Sequence, residues 1–343
     1  MKKMSFFKKF MLFLNWIIAF SLFLACIVPY TSSASLAFIS LTVPALVLIN
    51  MLFFLYWLLG KKIYLLLSLS ILVFGYFTLG SFIAFNGRQK PIKDVNVISL
   101  LSYNTLGFNS KYQSEWEKIT STEVIEFVEG ENVDIIYFQE FESHYVKDDM
   151  LKSYPYVANK IEFGDEEASN DLAIYSKYKI INNGELDFPN TYNGGVYADI
   201  VIKKDTLRFY NLHLQSLRIR PNYFKKERSD KLFVRLRDSF DKQLWQSGIV
   251  RNHINASPYP VIVGGDFNNT QFSKVYFNIK GDLKDSFLES GRGYGETIKF
   301  WKFPFRIDMI LIDPSFKILN HKNYNIDLSD HEPIMATFKI PSE

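Results

Sequence analysis

Residues 261–270, with the sequence Val-Ile-Val-Gly-Gly-Asp-Phe-Asn-Asn-Thr, decide the fold more than any other stretch of the chain. The β-branched run predicts a short buried strand, and the two glycines followed by Asp266 and Asn268 predict a turn at its end. Polar side chains on a turn that a rigid strand positions are candidates for catalysis or metal binding. Taken alone, the stretch fits an ordinary turn equally well.

The same pattern recurs through residues 94–343, as short runs rich in β-branched and aromatic residues with turn residues between them. The predicted strands are 95–102, 133–138, 171–175, 196–203, 207–212, 260–264, 306–312 and 334–339. Helical periodicity predicts two helices, at 113–129 and at about 223–255. Strands separated mostly by loops, with few helices, favour an α/β fold of stacked sheets with helices outside.

Side chains with acid–base or metal-binding chemistry stand at the ends of several predicted strands. They are Asn104, Glu140, His213, Asp266, Asn268, Asp308, Asp330 and His331. Each one alone has an ordinary explanation as a turn residue, a solvated strand end or a structural histidine. Their recurrence in this order, each at the end of a strand, is much harder to explain by chance.

The ordered motifs resemble the endonuclease/exonuclease/phosphatase superfamily, the fold of DNase I-like nucleases, abasic-site endonucleases, neutral sphingomyelinases and inositol-polyphosphate 5-phosphatases. The matching segments are QE at 139–140, GDFN at 265–268, RID at 306–308 and SDH at 329–331. The resemblance covers about residues 96–340 and implies a four-layer α/β sandwich of two packed mixed β-sheets. It also implies a hydrolase of phosphoester bonds that uses Mg²⁺ or Mn²⁺.

The resemblance assigns the metal ligands by position. Glu140 matches the principal metal-ligand glutamate of the superfamily, and Asn104 and Asp330 match its neighbours around the ion. These are the hard oxygen ligands that Mg²⁺ prefers. Leu106 stands where abasic-site endonucleases have a further acidic ligand, so the choice between one ion and two stays open.

The resemblance also assigns the catalytic residues. Asp266 and Asn268 match the pair that orients or deprotonates the attacking water, and Asp308 matches the carboxylate partner of the catalytic His331. His213 matches a second histidine on the phosphate or leaving-group side. Charge that develops on the phosphate oxygens is stabilised by a cation and a protonated imidazole. Whether Asp266 or the Asp308–His331 pair is the base stays open.

The first 93 residues have a different composition. They contain nine basic residues and no acidic ones, whereas residues 94–343 contain 30 basic and 36 acidic residues. Apolar runs at about 10–29, 36–59 and 63–85 each supply the roughly 20 residues that cross a hydrocarbon core as helix. We therefore predict a transmembrane anchor of three helices over 1–93 and a catalytic domain over 94–343. A cleaved signal peptide would leave the second and third runs unexplained.

The placement of lysines predicts the orientation of the anchor. Four lysines precede the first run and two stand between the second and the third, which predicts a cytoplasmic N-terminus. We therefore expect a multi-pass membrane protein with an extracytoplasmic catalytic domain, although Arg88, Lys90 and Lys93 oppose this orientation. The single cysteine, Cys26, excludes an internal disulfide. The sequence indicates no obligate protein partner.

The substrate class stays open at this level. Nucleic-acid binding usually requires a basic surface, and residues 94–343 carry more acidic than basic residues. Basic residues do follow His213 at 218–228, and the loop at 299–306 mixes basic and aromatic residues that suit a nucleobase or a lipid headgroup layer.

Three functions remain. They are a membrane-anchored metal-dependent phosphodiesterase of the nuclease type, the same chemistry on a lipid or small phosphoester, and a non-catalytic membrane-bound binding protein on the same scaffold. The third is disfavoured because every acidic residue of the motifs and both histidines are present.

Overall fold

The structure is a computed structural model of the chain. It describes residues 4–81, 83–86, 96–109, 121–142, 146, 150–160, 171–191, 193–218, 229–300 and 303–341. The N-terminal part contains three helices, α1 (Phe6–Ile27), α2 (Ala34–Leu59) and α3 (Leu65–Leu79). Asn15 of α1 connects them, because its amide donates to Ser68 of α3 and accepts from the Trp57 indole of α2. Polar contacts of this kind fix how apolar helices pack against one another.

Two of these helices are long and apolar enough to cross a membrane, over Phe6–Tyr30 and Leu36–Leu59. The third predicted span, at 63–85, is not among these two. α3 has 15 residues, which corresponds to about 22 Å of helix against a hydrocarbon core of about 30 Å. The helix ends at Gly80, whose φ of 76° lies in the left-handed region.

Two six-stranded sheets form the rest of the fold. The first contains, in spatial order, β15 (Lys317–Asn323), β16 (Ile334–Lys339), β2 (Val97–Asn104), β3 (Ile135–Gln139), β5 (Leu172–Ser176) and β4 (Tyr156–Lys160). The second contains β10 (Lys284–Asp285), β14 (Asp308–Ile312), β9 (Val261–Asp266), β8 (Asp205–His213), β7 (Gly194–Ile202) and β6 (Ile180–Leu186). Both are mixed, because β2 pairs with β3 and β8 pairs with β9 in parallel, while the other neighbours are antiparallel.

Four shorter strands and four further helices complete the described fold. Antiparallel pairs join β1 (Ala84–Phe85) to β11 (Arg292–Gly293) and β12 (Ile298–Phe300) to β13 (Phe303–Phe305). The helices are α4 (Ser121–Glu131), α5 (Ser229–Asn255), α6 (Lys274–Lys280) and α7 (Ser286–Ser290).

The apolar side chains arrange these elements in four layers. Between the sheets, residues such as Leu100 and Phe209 form one buried core. On the outer face of the first sheet, Val124 and Val128 of α4 pack against the strands, and on the outer face of the second sheet Val250 and other residues of α5 and α6 do the same. Strands covered on both faces are apolar throughout, which is why these runs were recognisable in the sequence. The predicted four-layer sandwich of two mixed sheets is confirmed.

The predicted strands correspond to β2, β3, β5, β7, β8, β9, β14 and β16, with ends that differ by two residues at most. Strands β4, β6 and β15 were missed because they lie at or near sheet edges and are partly exposed, so their apolar runs are interrupted. The N-terminal parts of the predicted helices, 113–120 and 223–228, lie outside the described residues. So does the predicted domain boundary at 93/94, which stays a prediction.

Candidate active site

The second sheet brings three of the predicted site residues into one row. His213 ends β8 and pairs in register with Asp266 at the end of the parallel strand β9. Asp266 in turn pairs with Asp308 at the start of the antiparallel strand β14. Neighbouring strands lie about 4.8 Å apart, so a row of this kind places the three side chains within contact distance.

The close approach of β8 and β9 explains the glycine before Asp266. Gly265 has a φ of 122°, and a β-carbon built on it would lie 2.0 Å from the carbonyl oxygen of Leu212. No other residue type fits that space without moving a backbone. The Gly-Gly-Asp sequence is therefore a condition for placing the Asp266 carboxylate beside His213.

The first sheet supplies Asn104 and Glu140 from the ends of its parallel strands. Asn104 pairs with Gln139, the residue before Glu140. The Asn104 amide nitrogen donates to Glu140 Oε1 at 3.1 Å and to Asp266 Oδ2 at 3.1 Å, and so it connects the two sheets across the site. The side chain of Glu140 is 25% exposed, and Asp266 is buried, so the site opens on the side of Glu140.

Glu140 has a strained backbone. Its φ of 45° is in the left-handed region, which costs a residue with a β-carbon about 1 kcal/mol or more. The Gly107 amide and the Thr105 hydroxyl, at 2.7 Å and 2.8 Å, both donate to the carbonyl of Glu140 and hold it there. The left-handed residue ends the strand and turns the carboxylate towards the second sheet.

Asn268 organises the turn after Asp266. Its backbone amide donates to Asp266 Oδ1 at 2.7 Å, and its side-chain amide donates to Asp266 Oδ2 and to the Leu214 carbonyl. Its φ of 49° is one that asparagine tolerates better than most residues. In this structure Asn268 therefore orients the Asp266 carboxylate.

Asp308 and His331 form a buried pair, with His331 Nδ1 3.0 Å from Asp308 Oδ2. The other ring nitrogen, Nε2, lies 3.8 Å from Asp266 Oδ2. The Thr297 hydroxyl accepts hydrogen bonds from the amides of Ile307 and Asp308 and fixes the start of β14. A carboxylate at Nδ1 keeps the proton on that nitrogen and so leaves Nε2 directed at Asp266.

His213 lies on the opposite side of Asp266. Its Nε2 is 3.7 Å from both Glu140 Oε1 and Asp266 Oδ2. Asp330 is the residue before His331 and is half-buried. It accepts a hydrogen bond from the Ser329 hydroxyl at 3.5 Å, and its charge helps to raise the pKa of His331 and of Tyr103. The structure thus groups six of the other seven predicted residues around Asp266 and places Asp330 beside them. The roles of all eight stay predictions.

The site has an excess of negative charge. The pKa of Asp266 is raised to about 8, chiefly by burial and also by the neighbouring Asp308 and Glu140 carboxylates, against the opposing effects of His331 and of the Asn268 amide. Burial lowers the pKa of His331, but the Asp308 and Asp266 carboxylates outweigh it and hold that pKa well above its usual value. Within the described part of the chain, the ion pairs of these carboxylates are made with histidines and not with Lys or Arg.

A divalent cation fits this donor set. Two overlapping groups, Glu140–His213–Asp266 and Asp266–Asp308–His331, each have ligand atoms that lie within 4.8 Å of one another. Carboxylate oxygens dominate both groups, as Mg²⁺ and Mn²⁺ prefer. Asn104 presents its nitrogen to them, because its oxygen accepts from the Leu106 amide. To act as a ligand, Asn104 would have to turn its amide over.

Two side-chain amides beneath the site, those of Gln139 and Asn211, were not predicted from the sequence. The Gln139 amide donates to Asn211 Oδ1 at 2.6 Å and to Ser102 Oγ at 3.2 Å, and Asn211 donates to the carbonyls of Phe138 and Ala173. These bonds join the two sheets directly below Asn104 and His213. The signal was present, because Asn211 precedes His213 by two residues and a strand places such residues on one face.

Arg306 has a different role from the predicted one. The loop 299–306 was considered as a surface for a nucleobase or a headgroup, but Arg306 is buried and forms two 2.9 Å bonds with Asp285. It therefore cannot reach a ligand at the surface. Residues 301 and 302 of that loop, and the basic residues 220–228, lie outside the described part of the chain.

Comparisons with known proteins agree with the fold and the site. Residues 101–331 match the Endonuclease/Exonuclease/phosphatase family, and residues 8–82 match a domain of unknown function (DUF8431). No curated protein matches the chain.

Solved structures with this fold share little sequence with the chain. A humanised D. rerio TDP2 is 18% identical, with a TM-score of 0.55 over 71% of this chain and 100% of that one. The catalytic domain of human Nocturnin is 15% identical, with a TM-score of 0.55 over 73% and 97%. A Bacteroides vulgatus endonuclease/exonuclease/phosphatase is 17% identical, with a TM-score of 0.55 over 71% and 99%. At this identity the likeness shows the fold, whereas the family match covers most of the chain. The chain belongs to the endonuclease/exonuclease/phosphatase family, and it is a hydrolase of phosphoester bonds.

Proposed function

We propose that the chain is a membrane-anchored, divalent-metal-dependent phosphodiesterase. The observation that supports this most strongly is the position of Asp266, a buried carboxylate that lies between two histidines and is hydrogen-bonded to two asparagines. Charged groups this deeply buried persist only when their partners compensate them. The surplus negative charge of the cluster favours a cation as the missing partner.

Glu140, Asp330 and Asn104 would hold the cation, with Asp266 at the same centre. When bound, Mg²⁺ or Mn²⁺ supplies positive charge that binds the phosphate and stabilises the charge developing on its oxygens. The exposed edge of Glu140 leaves room for a substrate oxygen, whereas the buried Asp266 lies behind it. This choice of ligands rests on the resemblance and on the donor chemistry.

The positions of Asp266, His331 and His213 indicate how each could transfer a proton or neutralise charge. Asp266 accepts a hydrogen bond from the attacking water and can take its proton, because Asn104 and Asn268 already fix both of its oxygens. His331, kept protonated at Nδ1 by Asp308, directs its Nε2 towards the same space, where it can bind a phosphate oxygen or receive a proton. His213 is placed to neutralise charge on the other side of Asp266.

Membrane anchoring is the second part of the proposal. A signal sequence is also apolar and N-terminal, but here the apolar helices pack against the catalytic domain. Phe38 of α2 stacks on Phe233 of α5, with ring centres 5.0 Å apart. After α3, β1 pairs with β11, and Asn86 donates to the carbonyls of Leu288 and Gly291. These contacts support an anchor that stays attached.

Leu79 at the end of α3 and Val43 near the start of α2 both pack in one cluster with Phe272 of the domain, so α3 brings the chain back to the side of the bilayer on which α2 begins. The lysines predict that this side is outside the cytoplasm.

Purified full-length protein in detergent tests the chemistry. With Mg²⁺ or Mn²⁺ we expect hydrolysis of at least one of bis(p-nitrophenyl) phosphate, plasmid DNA and sphingomyelin, and loss of activity with EDTA. Asp266→Ala and His331→Ala should be inactive, and Asp205→Ala, at an exposed position in the β7–β8 hairpin, should be fully active. Equal activity of Asp266→Ala and the unmodified protein would discard the assigned site. A phosphatase reporter fused after residue 93 tests the orientation, and it should be active.

A further inference from the structure

The two loops that follow His213 and Asp266 contact the N-terminal helices. After His213, Leu217 packs with Phe240 of α5 against Phe38 and Leu41 of α2. The Phe38 ring lies edge-on to Phe240, with ring centres 5.2 Å apart. The edge of the sandwich that holds the site is therefore also the edge that contacts α2.

The loop after Asp266 makes the second contact. The Thr270 hydroxyl donates to the Ser40 carbonyl of α2 at 3.5 Å. Two residues later, the buried Phe272 joins the cluster formed by the helices, with Val43 and Leu79. A chain extends by at most about 3.6 Å per residue, so Phe272 lies within about 20 Å of Asp266.

These contacts set the height of the site relative to a bilayer. Phe38, Ser40 and Leu41 lie in the first two turns of α2, a helix of 26 residues. About 20 residues cross the hydrocarbon core, so the first turns of α2 can lie at the level of the headgroups. The site next to them then lies near the plane of lipid phosphates.

An apolar crevice between α2 and α3 ends at the same loop. Its volume is about 130 Å³, and Val43, Val47, Leu72, Tyr76, Leu79 and Phe272 are among the residues that line it. A dry apolar cavity of about 150 Å³ is large enough to bind benzene. Tyr76 is exposed on the lipid-facing side of α3, so the crevice is accessible from a bilayer.

Basic side chains lie on the same side of the domain. Beside Leu217 is a groove of about 510 Å³ lined by Arg218, Lys231, Arg235 and Lys242, together with the acidic Asp230 and Asp238. Basic residues near a membrane surface attract anionic lipids by about 1 kcal/mol each. Residues 94–343 as a whole carry more acidic than basic residues, so the positive charge is local.

We infer that the substrate is an anionic membrane phospholipid, of which a short segment of one acyl chain occupies the α2–α3 crevice while its phosphodiester reaches Asp266. This inference rests on the proposed hydrolase function. The oxygen of a water molecule forms a bond to phosphorus and one ester P–O bond breaks. The water's proton passes to the protein, and the leaving alkoxide takes up a proton. The products are a phosphomonoester and an alcohol.

Full-length protein in detergent micelles containing phosphatidylglycerol tests the inference, with bis(p-nitrophenyl) phosphate and a single-stranded oligonucleotide as comparison substrates. Val47→Trp fills the crevice, and Leu48→Trp places the same side chain at the next, exposed position of α2. We expect hydrolysis of phosphatidylglycerol, at least a tenfold loss in Val47→Trp, and less than a twofold change in Leu48→Trp. Both variants should hydrolyse bis(p-nitrophenyl) phosphate normally, which shows that the catalytic domain is folded.

The other outcomes separate the two proposals. Cleavage of the soluble diester or the oligonucleotide without cleavage of phosphatidylglycerol would overturn the lipid inference and leave the phosphodiesterase intact. Equal lipid hydrolysis by Val47→Trp and Leu48→Trp would overturn the role of the crevice. If Val47→Trp fails to fold, the smaller Val47→Phe is judged by the same criteria. No cleavage of any substrate with Mg²⁺ or Mn²⁺ would overturn both proposals.

Discussion

Two clusters of buried charged residues, one containing Arg306 and the other Asp308, differ in how their charge is compensated. In the first, which we call the structural cluster, Asp285 is paired with Arg306 through two hydrogen bonds and accepts a third from the Tyr276 hydroxyl at 2.6 Å. In the second, the catalytic cluster of Glu140, Asp266, Asp308 and His331, several carboxylates share contacts with histidines.

The pKa shifts of the two central aspartates, Asp285 and Asp266, have opposite directions. Arg306 satisfies Asp285 and, despite burial, keeps the pKa of that carboxyl below its usual value. In the catalytic cluster the pKa of Asp266 is raised instead, to about 8. A buried pair whose charges match is part of the fold, whereas a cluster with more carboxylates than cationic partners is prepared for a ligand that brings positive charge.

Asp308→Asn should produce the largest effect, because it removes the group that orients His331 without removing volume. We expect activity on a phosphodiester to fall by about 10³–10⁴-fold, as for other carboxylate–histidine pairs, with little loss of thermal stability. The measurements are kcat and the melting temperature, and Asp205→Asn is the exposed control. Loss of stability without loss of kcat per folded molecule would reverse the distinction between the clusters.

Asp285→Asn should have the opposite profile. It leaves Arg306 charged and unpaired in the interior, which costs about 3–5 kcal/mol, while kcat of the folded protein stays within a few-fold. Denaturant unfolding and activity measured on the same preparation test this. An unchanged unfolding free energy would show that the structural cluster contributes nothing to stability.

The pH dependence of stability should report on His321, which borders the structural cluster because its Nδ1 is hydrogen-bonded to the hydroxyl of Ser286, the residue after Asp285. Burial lowers the pKa of His321 to about 4, whereas an unfolded histidine titrates near 6.5. The unfolded state therefore binds the proton first as the pH falls, and the stability present above pH 6.5 is lost towards pH 4. Linkage assigns to His321 a loss of about 2 kcal/mol between pH 7 and pH 5, which the raised pKa values of Asp266 and His331 oppose. His321→Gln should reduce this dependence, and an unchanged slope in that variant would contradict the assignment.

Tyr276→Phe should have the smallest effect. It removes the hydroxyl that donates to Asp285 but keeps the buried ring, so we expect a loss of about 1–2 kcal/mol in unfolding free energy and no change in kcat. Tyr259→Phe is a control at a less buried tyrosine. A kcat effect of Tyr276→Phe beyond twofold would mean that the two clusters are coupled.

The sequence predicted the catalytic cluster better than the structural one. Asp266, Asp308 and His213 stand at the ends of apolar runs, and strand pairing then brings such ends together. The partnership of Arg306 with Asp285 is not visible in the sequence, because it joins a short strand to a loop 21 residues away. The basic and aromatic neighbours of Arg306 suggested a surface loop instead.

The N-terminal region was predicted less well for a related reason. Apolar composition identified three helical runs, but it does not specify where a helix stops. α3 ends at Gly80, and β1 then pairs with β11 at Arg292–Gly293, a contact that depends on the folded catalytic domain. The contacts of Phe38 and Phe272 between helices and domain likewise follow from tertiary packing alone.

Anomalous diffraction from crystals of the full-length protein grown with Mn²⁺ tests the central claim most directly. The account predicts one or two manganese peaks in the catalytic cluster, at about 2.2 Å from carboxylate oxygens of Glu140 and Asp330, and no peak at the structural cluster around Asp285. Absence of manganese from the catalytic cluster at saturating Mn²⁺, with the protein active, would contradict it.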